Sequence, residues 1–124
     1  MTMFSGVRIG ATDITDIEDF DIIEVNKVDL YKPKNSKNGV LRYYTNKGVF
    51  LGLTTLEDVA QKWEKFGFMQ LDPVNVVNIN AIKYIVDDSF SIRAYFEDGS
   101  HAAVSRPKYK KIEHLGIPKK DRPD

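Results

Sequence analysis

The chain has no cysteine. A disulfide framework, a thiol nucleophile and a thiolate zinc site are thereby excluded, and a reducing, cytoplasmic setting is expected. Histidine is scarce: His101 and His114 lack a metal-ligand spacing and have no cysteine partners. Long apolar runs are missing too. No stretch approaches the ~18 residues of a membrane-spanning helix, so no membrane role is expected. The start MTMFSGVRIGATD has neither the basic opening nor the apolar run of a signal peptide. No Gly-rich loop lies between a strand and a helix to hold phosphate, and Ser105 has no obvious base. The acidic pairs Glu18-Asp19, Glu57-Asp58, Asp87-Asp88 and Glu97-Asp98 fall in the acidic N-terminal stretch, at helix starts or in turns, where carboxylates serve structural ends. Catalysis, a metal and a cofactor are therefore not expected.

Net charge is absent as well, since 18 basic residues balance 18 acidic ones. The balance conceals an asymmetry. Residues 1–30 hold two basic residues against seven acids, and residues 101–124 hold seven against three. Such ends suit different partners, or each other. With 124 residues, 42% of them hydrophobic and 14 aromatic, the chain suffices for one folded core.

Within residues 1–20, an acidic N-terminal extension, Ile14, Ile17 and Phe20 have a spacing of three that suits a helical turn, though a loose arm fits equally. IIEVNKVDLY reads as a strand from Asp21 onward, with a bulge or short turn near Asn26-Lys27 where the alternation slips. KPKNSKNG is a basic loop. VLRYYT and VFLGL flank Asn46-Lys47-Gly48 and predict a hairpin. TTLEDVAQKWEKFG predicts a helix of about eleven residues, capped by Thr54 or Thr55 and stopped at Gly67, with Leu56, Val59, Ala60 and Trp63 on one face. The remainder reads as β segments (FMQL, VNVVN, AIKYIV, SIRAYF, HAAVS), with a hairpin turn at Asp98-Gly99. A short helix follows, with Ser105 as N-cap, Pro107 in its first turn and Gly116 at its end. The tail, residues 117–124, is expected to fray.

The order of these elements resembles the LytTR DNA-binding domain over residues 21–116. The resemblance is carried by TTLEDVAQKW, by Phe68 to Asn78 followed by Ile82 and Ile85, by Asp98-Gly99, and by Val104-Ser105-Arg106. It implies a mainly β fold with one or two short helices, an elongated arrangement of small antiparallel sheets whose loops enter successive major grooves. It further implies DNA contacts at Lys37, Asn38 and Gly39, a loop role that Lys34 and Lys37 fit loosely, and at Arg106, the full match to the family arginine. Lys108, Lys110 and Lys111 would add phosphate contacts from the same helix. Where the family has His-Arg-Ser, this chain has Asp72-Pro73-Val74, an acid and a residue without an N–H. Asn75 replaces a family aromatic, which is expected to weaken packing, and Asn78 matches a structural asparagine. The function implied is a stand-alone transcriptional regulator without a receiver domain, binding double-stranded DNA as a homodimer or on repeated sites. The alternative is a protein-interaction module or antagonist that has lost most base readout and uses its acidic N-terminal arm.

Overall fold

The structure is a computed structural model that describes residues 21–31, 39–52 and 54–124 in full, and residues 3–8 and 17–20 as backbone strands. The strands are β1 (Met3–Arg8), β2 (Ile17–Asp21), β3 (Val25–Tyr31), β4 (Val40–Thr45), β5 (Gly48–Gly52), β6 (Phe68–Asp72), β7 (Asn75–Asn78), β8 (Tyr84–Asp87), β9 (Ile92–Tyr95), β10 (His101–Val104) and β11 (Lys119–Lys120). Two helices, α1 (Leu56–Trp63) and α2 (Arg106–Ile112), interrupt them. Seven strands form one sheet in the order β2-β1-β5-β4-β3-β7-β6, and four form a second in the order β10-β9-β8-β11. Every pairing is antiparallel except that of β11 with β8. The mainly β architecture follows the sequence expectation, although one sheet is larger than expected.

Local chemistry explains most boundaries. The Thr55 hydroxyl accepts the Asp58 N–H at 3.1 Å and caps α1. A single 3-10 turn, Glu64–Phe66, extends the helix to Gly67, whose φ of 91° is open to glycine at little cost. The slip in β3 is real, since its register against β4 shifts between Val25 and Lys27. Ile22–Glu24, expected as strand, is instead a 3-10 turn closed by a reciprocal cap between Asp21 and Glu24. Ser105 occupies the N-cap position of α2, but its side chain makes no capping bond.

Strand β7 lies between two cores. Side chains alternate across a strand, and Val76 accordingly joins Val25, Val28, Tyr43, Phe50 and Phe68 under α1. Val59 and Trp63 close that core, with Leu56 and Ala60 packed partly against it. Truncating a buried Trp such as Trp63 costs ~3–5 kcal/mol. On the opposite face Val77 joins Leu71, Ile85, Ile92, Phe96, Val104 and Ile112, so the second sheet and α2 cover it. A strand covered on both faces has no solvent side, and all four residues of β7 are buried.

Two expectations about the ends are corrected. The segment taken as a loose arm or helical turn instead contributes β1 and β2, and β1 joins the sheet through Val7 and Arg8 against β5. Ile14 lies outside the described residues. The tail expected to fray is held at two points. Lys119 and Lys120 pair in parallel with Ile85 and Val86, and the Asp124 N–H donates to the Tyr84 hydroxyl at 3.0 Å. Backbone pairing outweighs the charge and proline content of the tail because β8 offers it an open edge.

Candidate nucleic-acid interface

The segment LDPVN, residues 71–75, forms the β6–β7 turn. Asp72 pairs with Asn75 across Pro73-Val74, and the Asp72 carboxylate accepts the Val74 N–H at 2.8 Å. Neither central residue has positive φ, so the turn lacks the twist of a primed hairpin turn. The mismatch is absorbed by a bulge on β6, where the register shifts between Met69 and Asp72. Such a bulge leaves backbone N–H groups without ladder partners. Asn75 satisfies them: its side-chain oxygen accepts the N–H groups of Leu71 at 3.2 Å and Asp72 at 3.1 Å. Its amide nitrogen donates to the Ala103 carbonyl at 2.9 Å, linking the turn to β10 of the second sheet. The expectation that Asn75 weakens packing is therefore reversed. Asn78 acts similarly at the other end, donating to the Val25 carbonyl at 3.0 Å.

Two backbone bonds place the turn in a row with its neighbours. The Leu30 N–H donates to the Val74 carbonyl at 3.1 Å, bringing the end of β3 to one side. The Ser105 N–H donates to the Leu71 carbonyl at 2.9 Å, bringing the start of α2 to the other. Three connections distant in sequence thus share one edge of the molecule. Of the residues expected to touch DNA, Lys37 and Asn38, with Lys34, lie outside the described residues. Arg106, Lys110 and Lys111 are exposed on α2, and Lys108 is half-buried.

Arg106 is engaged but accessible. Its Nη2 donates to the Ser89 carbonyl at 2.9 Å and stands 3.6 Å from Asp87, while the side chain stays about half exposed (54%). Both contacts use one nitrogen of a guanidinium that carries five N–H donors. Asp87 also lies 3.8 Å from Lys119. The Ser89 N–H, and after it Arg106 and Lys119, hold the Asp87 carboxyl below the usual carboxylate range. Asp88 is lowered likewise by the N–H groups of Ser91 and Phe90, and then by Arg93 at 3.4 Å.

Sequence reasoning missed the middle of this edge. A cleft of about 330 Å³ opens between the β6–β7 turn and β10, lined by Lys27, Asp29, Asp72, Arg93 and His101 among others. Lys27 is almost fully buried there. Its ammonium donates to the His101 carbonyl at 2.5 Å and lies 4.2 Å from the centre of the Tyr44 ring. Burial pulls its pKa down, against the opposing charge of Asp29. His101 is also pushed down, by burial and then by Lys27 and Arg93. Lys27 therefore ties the two sheets together and does not project toward a ligand. A lysine at a β-bulge is the one local signal that could have marked it. Among the described residues no group of His, Asp and Glu could hold a metal ion, and no helix is long and apolar enough to cross a membrane.

A bulged β-turn, a strand end and the start of a basic helix thus meet in a domain of two β-sheets. The profile of the LytTr DNA-binding domain matches residues 20–116, and the chain belongs to that LytTR family. The fold is similar to a solved LytTr DNA-binding domain from Bacillus cereus, with a TM-score of 0.67 and 18% identity over 92% of this chain and 99% of that one. No match was found among curated proteins.

Proposed function

We propose that the chain is a sequence-specific regulator of transcription that binds double-stranded DNA. The observation that carries this reading is the row just described, in which Leu30–Val74 and Leu71–Ser105 bonds bring three connections to one edge with Arg106 exposed upon it. Arg106 has the chemistry to bond guanine O6 and N7, and Lys110 and Lys111 the chemistry to meet phosphate. Lys37 and Asn38, which follow β3 in the sequence, and Lys108 complete the proposed contact set. Each proposed unit is one half of a homodimer or of a repeated site.

A salt series of polarisation measurements on labelled duplex DNA tests this. Four to six phosphate contacts give a log–log slope of about −3.6 to −5.4. One observation favours a second reading, a protein-interaction module. Three arginines carry acidic partners, with Arg42 bonded to Asp29 at 2.8 Å, Arg93 near Asp88 and Arg106 near Asp87. Salt-insensitive binding, or none to any duplex, would decide for it.

A further inference from the structure

Phe90 is 97% exposed, more than any other large apolar residue described. A lone exposed apolar side chain is common and requires no explanation by itself. This one differs in how it is held. It stands at the tip of the β8–β9 turn, where the Asp88 carboxylate accepts the N–H groups of Phe90 at 3.0 Å and Ser91 at 2.9 Å. The preceding residue, Ser89, has a φ of 76°, the one positive value among described non-glycine residues. Arg106, the proposed base-reading residue, braces the turn through the Ser89 carbonyl. The two carboxylates at the base of the turn are balanced by Arg106, Lys119 and Arg93. What the turn offers a duplex is therefore an aromatic ring with little net repulsion beneath it.

We infer that Phe90 is a specificity-determining contact whose partner is the C5-methyl group of a thymine in the major groove. The inference rests on the DNA-binding reading above. A ring one residue from the anchor of Arg106 enters the groove that Arg106 enters. The thymine methyl is the apolar feature a base edge presents there, and phosphate gives an aromatic ring nothing to bury against. Contact with a second copy of this chain is the rival use of the same ring.

The probe is a duplex enriched from a random-sequence library by the unaltered full chain, together with versions carrying uracil in place of thymine at one position each. Phe90→Ala is expected to bind the enriched duplex about tenfold more weakly. The salt slope should not change, because no phosphate contact is lost. One uracil replacement should weaken the unaltered protein about fourfold, the worth of one buried methyl group, and leave Phe90→Ala indifferent. Equal affinity of Phe90→Ala and the unaltered chain would overturn the inference, as would weaker binding by the variant without any uracil effect on the unaltered chain. Altered sedimentation of Phe90→Ala with DNA binding intact would assign the ring to a protein contact instead. Failure of the unaltered chain to enrich any duplex would remove the DNA reading and this inference together. A failure confined to Phe90 leaves the DNA reading standing.

Discussion

The β6–β7 turn and the β8–β9 turn are each hydrogen-bonded to the start of α2, and both are closed by aspartate. The Asp72 carboxylate takes the Val74 N–H, and the Asp87 and Asp88 carboxylates take those of Ser89, Phe90 and Ser91. They differ in where their remaining polar groups point. The first turn is tied inward, with Asn75 buried and bonded to both its own bulge and β10. The second is tied at its base, by Arg106, Arg93 and Lys119, and leaves Phe90 in solvent. One capping chemistry therefore serves two ends. An aspartate-closed turn becomes structural when the next side chain is an asparagine under a second sheet. It becomes a display when that side chain has nothing above it.

The largest expected effect lies in the inward turn. Asn75→Ala leaves two bulge N–H groups and the Ala103 carbonyl without their partner, at a cost of ~2–4 kcal/mol. Urea unfolding followed by Trp63 fluorescence checks this, and a loss under about 0.5 kcal/mol would mean that water replaces the amide freely. Arg106→Ala is next. It should cost ~1–3 kcal/mol of specific DNA binding and also loosen the outward turn, whereas Lys110→Ala should weaken all duplexes alike and reduce the salt slope by ~0.9. Polarisation on selected and scrambled duplexes separates the two.

The paired substitution Asp72→His with Pro73→Arg asks whether the inward turn can be made to read DNA. It removes an acid and adds a base at the position of the family's contact, so a steeper salt slope and tighter binding are expected. Unchanged affinity would confine LDPV to its role as a turn. Acid distinguishes the turns differently. The Asp87 and Asp88 carboxyls are held below their ordinary value of 3.8 in the folded chain. Their contribution is full above that value and is lost as pH falls through the lowered ones. Amide chemical shifts of Ser89 and Phe90, followed through an acid titration, should move in that window with little global unfolding. The smallest effect is Ser89→Gly. Relief of the left-handed backbone is offset by the greater freedom of glycine in the unfolded chain, so stability should shift by under ~0.5 kcal/mol in urea unfolding.

Much of this architecture was legible in the residues themselves, because it depends on short-range chemistry. Thr55 and Gly67 bound α1 within one stretch of chain, Asp98-Gly99 closes a hairpin, and the spacing of Val59 and Trp63 marks the buried face. The Phe68–Asn78 stretch and Val104-Ser105-Arg106 sufficed to suggest the family that the profile match shows. What could not be read there depends on contacts between distant segments. The asparagines of VNVVN look like interruptions until β7 is placed between two sheets, where a buried amide is needed to satisfy a bulge on one side and a strand on the other. The placement of the charged tail was likewise decided by an open edge of β8, which no property of residues 117–124 announces. Local propensity is set by a few neighbours along the chain. The partner of a buried polar group is set by whichever layer the fold brings over it, and that is decided only when the chain is packed.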